Sequence, residues 1–416
     1  MADVEGRLRA AMEAAVASEQ PPGNLVELVR RRHRRYMARA AVAGAASVAV
    51  VAVLIPAGTR LLGHIPGPAG GRWAATSTVY AGFQDKFTGT AITGTVIPIN
   101  AATNRPGKPI RIGGSLAVAP DGKTLYISTG AWTIPVSTAT NKPGKPIRVH
   151  GFLTIDPNGK TAYAVGTDAV ISPASGRVTP VNLATNKPGR PFRVCSISGM
   201  IAFTPDGKTA YVSCHTAGPS TVIPINTATN RPGKPIRVGP GGREIAITPD
   251  GKTAYVLGMH TVTPINTATN TPGKPIRLGS NPTALIAICP DGKTAYVGTT
   301  GTVIPISTAT NTPGQPIPIG AGVPAEEMVF TPDGKTGYVA NGEGPTGRVV
   351  PIDTTTGTPG NAILIGVATA IAITPDGKTV YAAAVNKVVP ISTATNRPGK
   401  PIRLRYGLPG EIVVTP

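Results

Sequence analysis

The sequence predicts an all-β fold, a β-propeller of eight four-stranded blades, preceded by an N-terminal helical region with one transmembrane helix. Three observations carry this. The phrase ATNxPGKPI and its variants recur at a nearly fixed interval, starting at Ala102, Ala139, Ala184, Ala228, Ala268, Ala309, Thr355 and Ala394. Each interval holds four short β-rich runs separated by turn residues. Those runs are apolar on both faces, so each small sheet must be covered on both sides. A unit of roughly 40 residues that cannot bury both faces alone is the mark of blades packed around an axis.

Residues 1–38 are expected to form a cytoplasmic helical and basic segment. Val4, Leu8, Met12, Ala15 and Val16 fall at helical spacing, and Pro21-Pro22-Gly23 breaks that pattern. Asn24 followed by Glu27 fits a capping box that opens a second helix. This helix carries the basic cluster Arg30, Arg31, Arg32, His33, Arg34, Arg35 and Arg39 into residues 40–55, which contain no charge. Positive charge before an apolar run keeps that flank cytoplasmic, so residues 39–58 read as a transmembrane anchor. A cleaved signal sequence is the competing reading. Arg34-Arg35-Tyr36-Met37 matches part of a twin-arginine signal, but no small-x-small cleavage site follows. Residues 59–75 form a Gly/Pro-rich linker, and residues 76–416 the propeller.

One unit can be followed through residues 253–290. The runs are 253–257 (TAYVL), 261–266 (TVTPIN), 274–278 (KPIRL) and 285–289 (LIAIC). Asn270-Thr271-Pro272-Gly273 is expected to be a type II turn with Gly273 at positive φ. Pro290-Asp291-Gly292-Lys293 is a hairpin turn signal. From the axis outward the strands are A (IAIT), B (AYV), C (VIPI) and D (KPIR). The repeats open with a B strand at Thr78 and end with an A strand at 412–415, so the last strand should complete the first blade. Seven blades is the alternative count, if the long unit between Ala162 and Tyr211 forms none of its own. Every C strand carries a proline, from Pro98 and Pro135 to Pro390, which predicts weakened pairing between C and D.

The YVAN run at 338–341, the VVPIDTTTG run at 349–357 and the IAITPDGKT runs resemble the YVTN-family β-propeller repeat across 76–416. The resemblance implies either a surface or envelope binding protein or a lactonase-like hydrolase. Proline in the C strand departs from the family pattern.

The composition, with 51 Gly, 44 Pro and few aromatic residues, suits a large β domain. Net charge is +20, and much of it is periodic. PDGK turns supply Lys123, Lys160, Lys208, Lys252, Lys293, Lys335 and Lys378, and the C to D turns add pairs such as Arg105 with Lys108. Both turn types should share one rim. That rim is expected to face the membrane, because the linker enters at a B strand. Residues 313–365 break the pattern, with Gln315, Pro318, Asn361 and Leu364 in place of basic residues.

The opposite rim stops repeating. His150, His215, His260, Trp132, Asp85, Asp168, Arg243 and Glu343 fall there. Glu244, Glu327 and Glu411 occupy equivalent inner-strand positions in the fourth, sixth and eighth units, with Glu326 adjacent, and are expected at the mouth of the central channel as solvated carboxylates. Variable residues on a regular scaffold mark a binding surface. The candidate ligand-binding set is therefore Arg243, Glu244, Glu326, Glu327, Glu411, His215, His260 and Trp132. No catalytic residues are assigned, because no nucleophile elbow, metal-protease or phosphate-loop motif is present. No cofactor or metal is expected. A divalent cation such as calcium on the three carboxylates is the minor alternative to solvation. Cys195 and Cys214 fall on one rim, where a disulfide and two unpaired core thiols are both compatible. Cys289 should be a lone buried thiol.

These readings point to a noncatalytic extracytoplasmic propeller, a binding module at the cell envelope. The expected partners are a protein, a glycan or an anionic envelope polymer, together with the membrane through the N-terminal helix. Nucleic acid is not expected. A secreted lactonase-like propeller hydrolase is the alternative.

Overall fold

A computed structural model describes residues 77–87, 92–167, 176–195, 197–215, 220–280, 282–342, 347–407 and 409–416. The expected N-terminal helices, anchor and linker lie outside the described residues. Among the described residues no helix is long and apolar enough to cross a membrane.

The described residues form eight antiparallel sheets, one per blade of an eight-bladed propeller. Blades are numbered here by their inner strands, so the eighth contains the first and last described strands. Blade 4 is typical, with inner strand Glu244–Ile247, then Thr253–Leu257 and Thr261–Asn266, and an outer edge in two pieces, Thr271–Pro272 and Ile276–Arg277. The long unit folds as blade 2 (Phe152–Ile155, Thr161–Thr167, Gly176–Asn182, Lys187–Pro188 and Phe192–Cys195), which excludes the count of seven. In blade 1 the outer strand is reduced to the bridges Thr133↔Ile147 and Val136↔Pro143.

The ring closes through its termini. Pro409–Val414 pairs antiparallel with Thr78–Phe87, in the register Val79↔Val414, Ala81↔Ile412 and Gly82↔Glu411. Thr78 N–H donates to Thr415 Oγ1 at 2.8 Å, and Thr415 N–H returns a bond to Thr78 O at 2.9 Å.

The C-strand prolines split the outer strand as their missing donors require. In blade 4, Ile265 pairs with Pro272 and Val262 with Ile276, but Pro264 has no ladder partner on that side. Its carbonyl instead accepts the Gly273 N–H at 2.7 Å. The same proline-to-glycine bond recurs in all eight blades, from Gly107 to Pro98 through Gly399 to Pro390. A Cβ on Gly273 would sit 3.1 Å from the Pro264 ring, so the Pro–Gly pairing is steric as well as polar.

The turn between C and D differs from expectation. Positive φ belongs to Asn270 (56°) and not to Gly273, so the reversal runs through Thr267 to Asn270 and the outer strand has already begun at Thr271. Asn104, Asn141, Asn186, Asn230, Asn311 and Asn396 repeat this left-handed residue, and Gly357 takes the place in blade 6. Asparagine tolerates that region because its short amide bonds locally.

There is no single core. Eight apolar clusters form, each joining facing sides of two neighbouring blades. Between blades 4 and 5, Tyr255, Leu257, Val262 and Ile276 meet Ile286, Val297, Ile304 and Ile306. This is the covering of both faces that the non-alternating strands demanded.

Candidate functional site

The two rims are built from different material. On the regular rim the turn from A to B docks onto the turn from C to D of the same blade, with Thr267 N–H donating to Lys252 O at 3.0 Å. Equivalent bonds join Thr138 to Lys123, Thr308 to Lys293 and Thr393 to Lys378. The two turn types therefore share one rim, and all seven PDGK or PNGK lysines are exposed there, but the basic residues expected in the C to D turns, such as Arg105 and Lys108, stand on the outer edge that follows the left-handed asparagine. The Asp of each turn is a structural residue: Asp250 accepts from Thr248 Oγ1 at 2.6 Å and from Lys252 N–H at 3.0 Å. The Thr248 hydroxyl and the Lys252 amide hold its carboxyl below the usual range.

On the irregular rim the loops from B to C bond the connections from D to A. Gly151 N–H donates to Gly130 O, Met259 N–H to Pro240 O, Gly301 N–H to Val323 O, and Asn386 N–H to Gly407 O. Backbone pairing of this kind preforms the loops. They present Trp132 at 43% exposure, Met259 at 58% and Val385 at 44%, in blades 1, 4 and 7. The Arg148 guanidinium lies 6.0 Å from the Trp132 ring, at the edge of cation–π range. His150, Arg243 and His260 are exposed on the same rim. His215 ends the strand Thr209–His215 opposite Ile197. Asp168 and Glu343 lie outside the described residues.

Glu244, Glu327 and Glu411 do stand at equivalent inner-strand positions, opposite Leu257, Ala340 and Gly82. Their expected solvation is not what the structure places there. Each is buried, at 6%, 3% and 6% exposure. Glu411 Oε2 accepts the Leu116 N–H at 2.9 Å and the Ser115 hydroxyl at 3.1 Å, across the seam from blade 8 to blade 1. Glu327 Oε2 accepts the Ile371 N–H at 2.9 Å, from blade 6 to blade 7. The receiving blades carry small residues at the aligned position, Ser115 and Ala370, which leave room for the carboxylate. Burial of Glu327, reinforced by the neighbouring charges of Glu411 and Glu326, raises its pKa well above the usual carboxylate value. Glu326 itself is only half-buried.

Hydroxyls span other inner seams in the same way. Ser213 Oγ donates to Arg243 O at 2.8 Å while accepting from Met200 N–H at 2.9 Å, and Thr283 donates to Ala325 O at 2.7 Å. The Ser213 and Thr283 hydroxyls are thus satisfied from the adjoining blade. Among the described residues no group of three or more His, Cys, Asp or Glu side chains could hold a metal ion.

Cys195 and Cys214 form a disulfide with a Cα–Cα distance of 6.0 Å. It ties the outer strand of blade 2 to the second strand of blade 3. Cys289 is a free buried thiol that donates to Gly334 O at 3.3 Å, and burial pushes its pKa up to about 12.

A second set of bonds spans the seams near the regular rim. The B-strand tyrosine of one blade reaches the left-handed asparagine of the next. Tyr80 donates to Asn141 at 2.7 Å, Tyr126 to Asn186 at 3.0 Å, Tyr211 to Asn270 at 2.7 Å and Tyr255 to Asn311 at 2.7 Å. Tyr163 to Asn230, Tyr338 to Asn396 and Tyr381 to Asn104 complete seven of the eight seams. At the eighth, Tyr296 faces the blade that carries Gly357. The signal was present as a Tyr and an Asn at fixed places in each repeat, but their partnership crosses blades and has no local spacing.

No family model matches this chain, and no curated protein does. Solved structures do. Kuenenia stuttgartiensis hydrazine synthase is 21% identical with a TM-score of 0.53, covering 67% of this chain and 95% of that one. Dihydro-heme d1 dehydrogenase NirN in complex with DHE is 13% identical with a TM-score of 0.65, over 80% and 75%. Apo AztD from Citrobacter koseri is 12% identical with a TM-score of 0.61, over 82% and 97%. At these identities the likeness is one of fold. Propellers of this shape serve different chemistries, and the function must be argued from the surface.

Proposed function

We propose that this chain is a YVTN-type propeller that works as a noncatalytic binding module outside the cytoplasm, anchored to the cell envelope by residues 39–58 with residues 1–38 cytoplasmic. The observation that carries the binding role is the contrast between the rims. One is a repeated set of turns whose Asp, Gly and Thr residues are engaged in structure. The other is a preformed, non-repeating surface bearing exposed Trp132 and Met259 with Arg148, Arg243 and His260. Aromatic, Met and Arg side chains on pre-organised loops are the composition of interface anchors. A hydrolase of lactonase type would need acid and base groups converging on one substrate, whereas Glu327 and Glu411 each turn to a seam between blades. The Cys195–Cys214 disulfide supports an oxidising location.

Protease added to intact cells tests the placement. The propeller should be released or degraded while an epitope within residues 1–38 stays protected until the membrane is permeabilised. A propeller spared on intact cells, or lactone hydrolysis by the purified chain that persists in a Glu327→Gln and Glu411→Gln variant, would count against this reading.

A further inference from the structure

The outer edge of each blade carries three positions with a fixed geometry. The first is the residue after the left-handed asparagine, and the others follow at intervals of three. In blade 8 they are Arg105, Lys108 and Arg111, and in blade 1 Lys142, Lys145 and Arg148. Blades 2, 3 and 7 keep the same pattern, with Arg397, Lys400 and Arg403 in blade 7. Blade 4 keeps two basic residues behind Thr271. Blade 5 has Thr312, Gln315 and Pro318, and blade 6 has Thr358, Asn361 and Leu364. All of these side chains are exposed. The isoleucine between the last two, such as Ile110 or Ile402, is buried and fixes the edge to its blade, with the half-buried Phe192 in its place in blade 2.

Neighbouring edges meet. The second piece of one outer strand lies against the first piece of the next blade's, as Ile236–Arg237 does against Thr271–Pro272. Between blades 7 and 8 this junction is a groove of about 750 Å³, lined by Arg397, Lys400 and Arg403 from one blade and Arg105 from the other, with Thr103 and Asn104 beside them. The junctions from blade 8 to 1, 1 to 2 and 2 to 3 carry the same four basic positions. From blade 3 to 4 the number falls to three, and from 5 to 6 it reaches none. Blade 6 instead brings the acidic Asp353, whose carboxyl is held low by the backbone amides of Thr356 and Thr355.

We propose that the outer wall along blades 7, 8, 1, 2 and 3 is a binding track for a flexible linear polymer that carries a phosphate in every repeat unit and no bases. A ladder of repeated basic positions along an arc matches a chain of repeated anionic groups, and guanidinium forks suit phosphate oxygens. Binding is then driven largely by release of counterions. Duplex DNA, with a persistence length of about 50 nm, does not follow a wall this curved. Single-stranded nucleic acid relies on aromatic platforms for its bases, and among the described residues the one large exposed aromatic ring, Trp132, stands beside a single track position, Arg148. The track shares Arg148 with the irregular rim but otherwise runs along the outer wall, and it stands whether or not that rim binds a partner.

The test uses the full chain and long-chain inorganic polyphosphate as probe, with affinity measured across a salt series. A blade 7 variant that takes the residues of blade 6, Arg397→Thr, Lys400→Asn and Arg403→Leu, should weaken binding by roughly tenfold. It should also make the slope of log affinity against log salt shallower by about 2. The reciprocal variant Thr358→Arg, Asn361→Lys and Leu364→Arg should tighten binding. Since each swap copies residues that already fold in this chain, melting temperatures should stay close to wild type. Lys208→Ser, Lys252→Ser and Lys293→Ser on the regular rim should change little. The proposal is overturned if orthophosphate competes as well as the polymer per phosphate. It is also overturned if duplex or single-stranded DNA, or anionic vesicles, bind more tightly than polyphosphate, or if the rim lysines matter as much as the track.

Discussion

Tyr381 donates a 2.7 Å hydrogen bond to Asn104, so residues 277 positions apart in sequence are joined across the seam where the ring closes. The same tyrosine hydroxyl reaches Ala101 O at 3.0 Å. Closure thus has two components at opposite radii: the pairing of Pro409–Val414 inside and this side-chain bond at the regular rim. Asn104 serves twice, holding φ at 54° and accepting the bond.

Separating these two roles gives the first prediction. Tyr381→Phe should cost about 1 kcal/mol, the usual net value of one hydrogen bond. Asn104→Gly loses the same bond but takes a Cβ out of the left-handed region and should cost less, while Asn104→Ala keeps the Cβ without the amide that supports it there and should cost about 1–2 kcal/mol more than the glycine variant. Conversely, Gly357→Asn gives Tyr296 the partner that its seam lacks and should stabilise the ring by about 1 kcal/mol. Denaturant unfolding of the purified protein orders these variants.

How much of this was legible follows from range. The blade, its PDGK turn, the split outer strand and the clasp are encoded within one repeat or by the repeat's starting point, so residues such as Pro264 and Gly292 announced them. The Tyr–Asn belt and the Glu327 and Glu411 bonds join one repeat to the next. Glu327 and Glu411 therefore read as part of a channel mouth when they are seam fasteners. The type II turn was misplaced because Pro272-Gly273 is a strong local signal, while the left-handed residue is Asn270. Proline there ends ladder pairing, and Gly273 is needed to clear the Pro264 ring.

Glu327 should make stability depend on pH in a defined direction. Its folded pKa is raised by burial, so the favourable contribution of its proton is present below the unfolded value of about 4.3 and is lost as pH rises through the folded value. Glu327→Gln keeps an acceptor for the Ile371 N–H without the charge. It should match wild type in acid and exceed it in melting temperature at pH 8. A parallel pH profile for the two proteins would show that the carboxyl is not strained by its burial.

The buried tyrosines predict alkaline unfolding. Burial pushes the hydroxyls of Tyr80, Tyr211 and Tyr338 up to about 12. Each therefore contributes stability that is present below the unfolded value of about 10 and is lost as pH rises through 12. Phenolate absorbance should rise late and together with loss of sheet signal, since the seven bonded hydroxyls share one belt. Independent titration near pH 10 with the fold intact would contradict this.

Reduction of Cys195–Cys214 should release blade 2 from blade 3. The bridge spans a separation of 19 residues, for which the chain-entropy model gives about 3 kcal/mol. Cys195→Ser with Cys214→Ser should lower stability by up to that amount. Cys289, buried with its pKa raised to about 12, should resist thiol reagents in the folded protein and react only on unfolding.

The central functional claim is that partners are engaged by the irregular rim. A photo-reactive residue placed at Trp132 or Met259, compared with one at Lys208 or Lys252, measures this in intact cells. Adducts of defined size are expected from positions 132 and 259, and none of matching size from 208 and 252. Adducts confined to 208 and 252, or equal from both rims, would contradict it.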